Sequence, residues 1–173
     1  GEHVAVLMPN CLEYLVAHYA IQLAGGVSVL VNSRFKQHEL AHAIADSDSC
    51  MVITTDAVDE HVDFADLLDR TFQELASART PEFSPVAKDP KLRRRVLFGT
   101  KNWDAAVSEG ALVQAGQAIS DTDLDEVYRN TDPEATSVMI FTSGTTANPK
   151  VCQLSSASLQ RSWRTYARTV DLG

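Results

Sequence analysis

Three cysteines among 173 residues, Cys11, Cys50 and Cys152, are too few and too far apart for a disulfide framework. None belongs to a Cys-x-x-Cys pair, and each sits in or beside an apolar element, so the expected role is a buried, reduced thiol. The five histidines are scattered, with no His-x-x-x-His pair and no His/Cys cluster, and give no structural metal site to predict. Long hydrophobic runs are missing too: none approaches the roughly 18 residues of a membrane span. No leader pattern is visible, and no initiator methionine opens the chain. Positive charge is in short supply, with 15 Lys and Arg against 23 Asp and Glu and a net charge of −8. That balance argues against a nucleic-acid or anionic-membrane surface. It leaves room for a nucleotide, which needs only local positive charge. The expected setting is cytoplasmic. The chain starts directly against a strand and stops soon after a helix begins, so it reads as a fragment of something longer.

What is present is the composition of a globular domain with a real core, 45% hydrophobic and 22% charged. Val4 to Met8 is an apolar run too short for a helix and reads as a buried strand. Pro9-Asn10 stops it. Asn10 is the expected cap of the next helix, with Glu13 as its capping-box partner. Leu12, Leu15, Val16, Tyr19, Ala20 and Leu23 recur at helical spacing and predict its buried face. Gly25-Gly26 ends the helix, and Val27 to Val31 is the next strand. Strand, helix and strand within about thirty residues make a βαβ unit, which is necessarily parallel.

The pattern repeats. A helix over 37–45 and a strand over 50–54 precede a helix over 57–68, with Val58, Val62, Ala65 and Leu68 inward. A short helix over 72–77 lies in a Pro-containing connection over 69–93. The basic run Lys91, Arg93, Arg94, Arg95 reads as a solvated edge before a strand at 96–98, in preference to a contact for the phosphates of CoA. Trp103 to Val113 gives a loose helical stripe, with Trp103 as core. Residues 114–135 form an acidic connection; their Asp-x-Asp-x-Asp spacing lacks the glycine and terminal Glu of a calcium loop. After a strand over 137–140, Val151 to Leu154 pairs back. Ser155 caps a last helix whose buried face is Leu159, Trp163, Tyr166 and Val170, with Arg161, Arg164 and Arg168 solvated. The fold class is therefore α/β: a layered, mostly parallel sheet of βαβ units with helices on both faces, ending in a strand–loop–strand. The expected division is 1–113 as the βαβ part, 114–135 as the connection and 136–173 as the hairpin with its helix.

The loop of that hairpin carries the chemistry. Phe141-Thr142-Ser143-Gly144-Thr145-Thr146-Ala147-Asn148-Pro149-Lys150 gathers four hydroxyls, a glycine, a proline and a lysine behind an apolar strand. Gly144 lets the backbone turn, so that several N–H groups can point at one anion, and the hydroxyls add donors. Lys150 supplies a compact positive charge, and Pro149 stiffens its approach. This is a loop suited to phosphate oxygens. It is not a Walker A loop, which needs Gly before the Lys and Ser or Thr after it; here Pro149 and Val151 stand there.

The decapeptide resembles the phosphate-binding signature of the adenylate-forming enzymes: acyl-CoA synthetases, luciferases and peptide-synthetase adenylation domains. Their usual form is [YF]-T-S-G-T-T-G-x-P-K-G, matched here at Phe141 to Thr146, Pro149 and Lys150, with departures at Ala147 and Val151. Pro9 to Tyr14 and Leu23 to Val27 resemble the opening of that family's large N-terminal domain. Asn32-Ser33-Arg34 with Glu39-Leu40 looks more like acyl-CoA synthetases, and Asn32 and Arg34 are read as a structural polar turn. Ser155-Ser156 stand where the family usually has Thr or Ser followed by His.

The resemblance implies an AMP-forming acid–thiol ligase, with ATP, Mg²⁺ and CoA acting on a small carboxylic acid. Thr142, Ser143, Gly144, Thr145, Thr146 and Lys150 would hold the β- and γ-phosphates. A homodimer is compatible with it. The family's Mg²⁺-binding Glu, ribose-binding Asp and late catalytic Lys, and its C-terminal domain, have no counterpart in these residues. No catalytic residue is therefore assigned here, and the 173 residues alone are expected not to turn over. The alternatives are a peptide-synthetase adenylation domain and a non-catalytic relative that binds ligands or a partner.

Overall fold

The computed structural model describes residues 1–73, 91–142 and 148–170. The parallel strands are β1 His3–Leu7, β2 Val27–Leu30, β3 Met51–Thr55, β4 Arg94–Phe98, β5 Val107–Ser108 and β6 Thr136–Thr142. The helices between them are α1 Leu12–Leu23, α2 Gln37–Asp46, α3 Phe64–Thr71, α4 Glu109–Gly116 and α5 Asp121–Asn130. Strand β7 Lys150–Ser155 and helix α6 Ser156–Thr169 follow. The strands form one seven-stranded sheet in the order β5-β4-β3-β1-β2-β6-β7. Every neighbouring pair is parallel except β6 and β7.

The uninterrupted apolar runs of β1 and β3 follow from burial on both faces. Side chains alternate across the sheet. Ala5, Leu7, Val29, Val52 and Met139 face the side covered by α2 and α3, where Leu40, Ile44, Phe64 and Leu68 complete the core. Val6, Met8, Ile53, Val96 and Phe98 face the other side, against Ala17 and Ile21 of α1.

Several sequence expectations change. The cap of α1 is Cys11 rather than Asn10, and its side chain makes no capping hydrogen bond. The buried face of α1 is Ala17 and Ile21, while Leu12, Leu15, Val16, Tyr19 and Leu23 are exposed. At 100° per residue these two sets lie on opposite sides of the helix. The small Ala17 lets the backbone close on the sheet, so the bulkier stripe is the outward one. On α6, Trp163, Tyr166 and Val170 are likewise exposed, with Trp163 and Tyr166 packed edge to face. Arg161, Arg164 and Arg168 are exposed as expected, and Arg161 Nη1 donates to Glu134 at 3.0 Å. Ser155 does cap α6, its hydroxyl accepting from Ser158 N at 3.1 Å.

Helix α3 begins at Phe64, not at 57, because Asp63 caps it by accepting from Asp66 N at 2.9 Å; Val62 is exposed. Residues 107–108 add a fifth strand where a helix was expected, and α4 starts at Glu109. The stretch 114–135 holds α5, opened by a reciprocal capping pair between Ser120 and Asp123. The expected helix over 72–77 lies, from 74 on, outside the described residues.

The basic run is not a solvated edge throughout. Arg95 is buried, its Nη1 donating to Asp69 at 2.7 Å and its guanidinium 5.0 Å from the centre of the Trp103 ring. Lys91 pairs with Asp48 at 2.5 Å, and Arg93 pairs with Glu2. Trp103 packs against the core as expected, and its indole N–H donates to Asp69 at 3.1 Å.

Candidate functional site

The hairpin emerges at the carboxyl edge of the parallel strands, because β6 runs with β2 and β1. Open α/β sheets bind ligands beyond this edge, where the chain leaves strands in opposite directions. Thr142 ends β6, Lys150 begins β7, and the two residues are cross-strand partners. The Thr142 hydroxyl donates to the Lys150 carbonyl at 3.4 Å and so helps close the stem. Both residues are exposed. Among the described residues the Lys150 ammonium makes no ion pair or hydrogen bond. Ser143, Gly144, Thr145 and Thr146 lie outside the described residues, so the stem fixes where their loop starts and ends.

A cleft of about 410 Å³ opens beside the stem. Its walls include Asn10 and Tyr14 after β1, Asn32, Ser33 and Arg34 after β2, and Phe141 of β6. Asn32 forms the polar turn expected of it: its side-chain oxygen accepts from Arg34 N at 3.0 Å, and its carbonyl accepts from Phe35 N at 3.0 Å. The same turn lays Arg34 along the cleft, exposed, with no side-chain partner among the described residues. A larger cavity of about 520 Å³ lies at the far end of the sheet, under α4 beside β4 and β5. It contains no residue of the decapeptide, so the site is assigned to the smaller cleft.

Two braces on the stem had no signal in the sequence. The ring of Phe35, just before α2, meets Phe141 edge to face at 6.1 Å and 71°. From α2 itself, His42 Nε2 lies 3.2 Å from the Pro149 carbonyl oxygen. Each contact joins residues more than a hundred positions apart, which local patterning cannot reveal.

Farther along the same edge, the Asp56 carboxylate after β3 accepts from Thr100 N at 2.7 Å and Lys101 N at 2.6 Å after β4. The Lys101 ammonium is held by Asp63 and Asp59, which raise its pKa in that order of importance. Burial pushes the Asp63 carboxyl up, but the Asp66 N–H and the Lys101 ammonium together bring it below the usual carboxylate range. These contacts tie the chain after β3 to the chain after β4. Among the described residues no cluster of His, Cys, Asp and Glu could hold a metal ion. No helix among them is long and apolar enough to cross a membrane.

The fold is thus a mostly parallel α/β sheet with the β6–β7 hairpin at its carboxyl edge. Over residues 1–172 the chain matches the AMP-binding enzyme family, and it belongs to that family. It is 27% identical over 150 residues to YngI of Bacillus subtilis (strain 168), named as a candidate acyl-CoA synthetase; the match covers 87% of this chain and 27% of that protein. It is 36% identical over 56 residues to a long-chain-fatty-acid–CoA ligase of the same organism, covering 32% of this chain and 10% of that one. Among solved structures, the anthranilate CoA ligase AuaEII in complex with anthranoyl-AMP shares the fold with a TM-score of 0.63 at 17% identity, over 90% of this chain and 25% of that chain. The chain thus spans about a quarter of the length of YngI and of AuaEII.

Proposed function

We propose that this chain forms the phosphate-gripping part of an ATP-dependent acid–CoA ligase. The observation that carries the reading is the pairing of Thr142 with Lys150 at the mouth of a hairpin on the carboxyl edge, beside an open cleft. Among the described residues the Lys150 ammonium at that edge is unengaged, and Arg34 adds a second cation along the wall. In the reaction a substrate carboxylate attacks the α-phosphorus of ATP. A new C–O–P linkage forms, the bond to the bridging oxygen breaks, and its electron pair leaves with pyrophosphate. The carboxylate is already ionised, so no general base is needed. The barrier is electrostatic: an anion must approach a polyanion, and charge builds on the leaving group. Thr142, Ser143, Gly144, Thr145, Thr146 and Lys150 answer that need by donating to the β- and γ-phosphate oxygens. Mg²⁺, arriving as part of the ATP complex, would supply further positive charge against the same build-up. In the second step the CoA thiol takes the acyl group and AMP leaves.

Calorimetric titration of the chain with Mg·ATP tests the phosphate site. Lys150→Ala is expected to weaken binding about tenfold or more, the loss of a charge-assisted contact. Equal affinity in the two proteins would reject the assignment. The same preparation, given carboxylic acids and Mg·ATP, is expected to release no pyrophosphate. ATP–pyrophosphate exchange by a longer protein carrying this chain, across a panel of acids, would identify the substrate.

A further inference from the structure

We infer that His42 is a positioning residue for the phosphate hairpin: from α2 it holds the outgoing arm at Pro149 and thereby sets the direction of Lys150. The inference rests on the reading of the hairpin given above. A carbonyl oxygen can only accept, so the 3.2 Å contact requires a proton on His42 Nε2. The imidazole is half-buried and is carried on a helix whose Leu40, Ala43 and Ile44 are fully packed into the core. The helix therefore offers a rigid mount, and the ring reaches the backbone one residue before Lys150. Phe35 does the same for the incoming arm through Phe141. The two contacts hold both arms of the stem against the same stretch of chain, 35–42. Proline makes the device effective: Pro149 fixes its own φ, so pinning its carbonyl orients the peptide that leads into Lys150. Phe35 lies directly after the Asn32–Arg34 turn, so one segment places both the cleft wall and the hairpin.

The test uses the whole chain as wild type, His42→Leu, His42→Gln and Lys150→Ala. Nitrogen-15 spectra of the wild-type imidazoles should show His42 in the Nε2–H tautomer. Amide hydrogen exchange over 148–151 should be faster in His42→Leu and close to wild type in His42→Gln, whose side-chain amide can still donate. Titrated with Mg·ATP and, separately, with inorganic tripolyphosphate, His42→Leu should bind about three- to tenfold more weakly, and His42→Gln should recover most of that loss. A His42 ring averaging both tautomers, or exchange over 148–151 unchanged by His42→Leu, would overturn the inference. So would His42→Leu binding as wild type while Lys150→Ala does not. If Lys150→Ala binds as tightly as wild type, or the wild type fails to bind, the phosphate reading falls. The His42 brace is then still decided by the tautomer and exchange measurements.

Discussion

The Asp56 carboxylate occupies the space that a β-carbon on Gly99 would need. An ideal Cβ there lies 1.9 Å from Asp56 Oδ1, and Gly99 has φ +145°, a conformation open to glycine and strained for other residues. Gly99→Ala must expel a carboxylate that accepts two backbone N–H groups. The expected cost is at least about 2 kcal/mol of unfolding free energy, read from urea denaturation. A change under about 0.5 kcal/mol would show that Asp56 is free to move.

Asp69 serves two groups at once, accepting from Nη1 of the buried Arg95 and from the indole N–H of the half-buried Trp103. Asp69→Ala removes both contacts and is expected to cost about 2 kcal/mol, since the Arg95 side chain is only 3% exposed. Asp69→Asn keeps an acceptor and should fall between the two. Chemical denaturation of the three proteins checks the order.

His18 gives a pH dependence of definite sign. Its Nδ1 lies 2.9 Å from the hydroxyl of the fully buried Ser28, and burial pushes its pKa below the ordinary value of about 6.5. Below that value the unfolded chain takes up a proton that the folded chain resists. The contribution of His18 to stability is therefore complete above about pH 6.5 and is lost as pH falls from there through the lower folded pKa. His18→Gln should flatten that part of the stability curve, measured between pH 4.5 and 7.5. An identical slope in the variant would exclude His18 as its source.

Ala147 stands where the family pattern has glycine. Where that position requires φ > 0, a β-carbon costs about 1–2 kcal/mol and holds the backbone off a phosphate. Ala147→Gly is expected to tighten Mg·ATP binding several-fold by calorimetry, and equal affinities would reject the idea.

The parts of this fold that could be read from sequence are those whose meaning is local. Val4–Met8 and Met51–Ile53 announce strands because both faces are buried, so the apolar run has no gaps. Gly25 ends α1 at φ +70°, as its position after the helix suggests. The hairpin was legible from residue order alone. Periodicity fails on α1 because Leu12, Tyr19 and Leu23 mimic a buried face, while the real one rests on Ala17 and Ile21. It fails on α6 in the same way at Trp163 and Tyr166. Arg95 was misread because charge in a sequence suggests solvent, and nothing near it in the chain announces Asp69 and Trp103. His42 has meaning only once Pro149 arrives beside it.

The register of the last two strands has a consequence for how tolerant the phosphate hairpin is to change. Thr142 faces Lys150 and Phe141 faces Val151, and the irregularity of the pairing falls between Thr136 and Val138, at the foot of the stem. Alternation along a strand means that a slip by one position would turn the lysine to the opposite face of the sheet. By absorbing its bulge at the far end, the ladder keeps the tip in frame. Single-residue insertions below Val138 should therefore be survivable, and the same insertion between Val151 and Gln153 should silence the site while leaving the sheet folded.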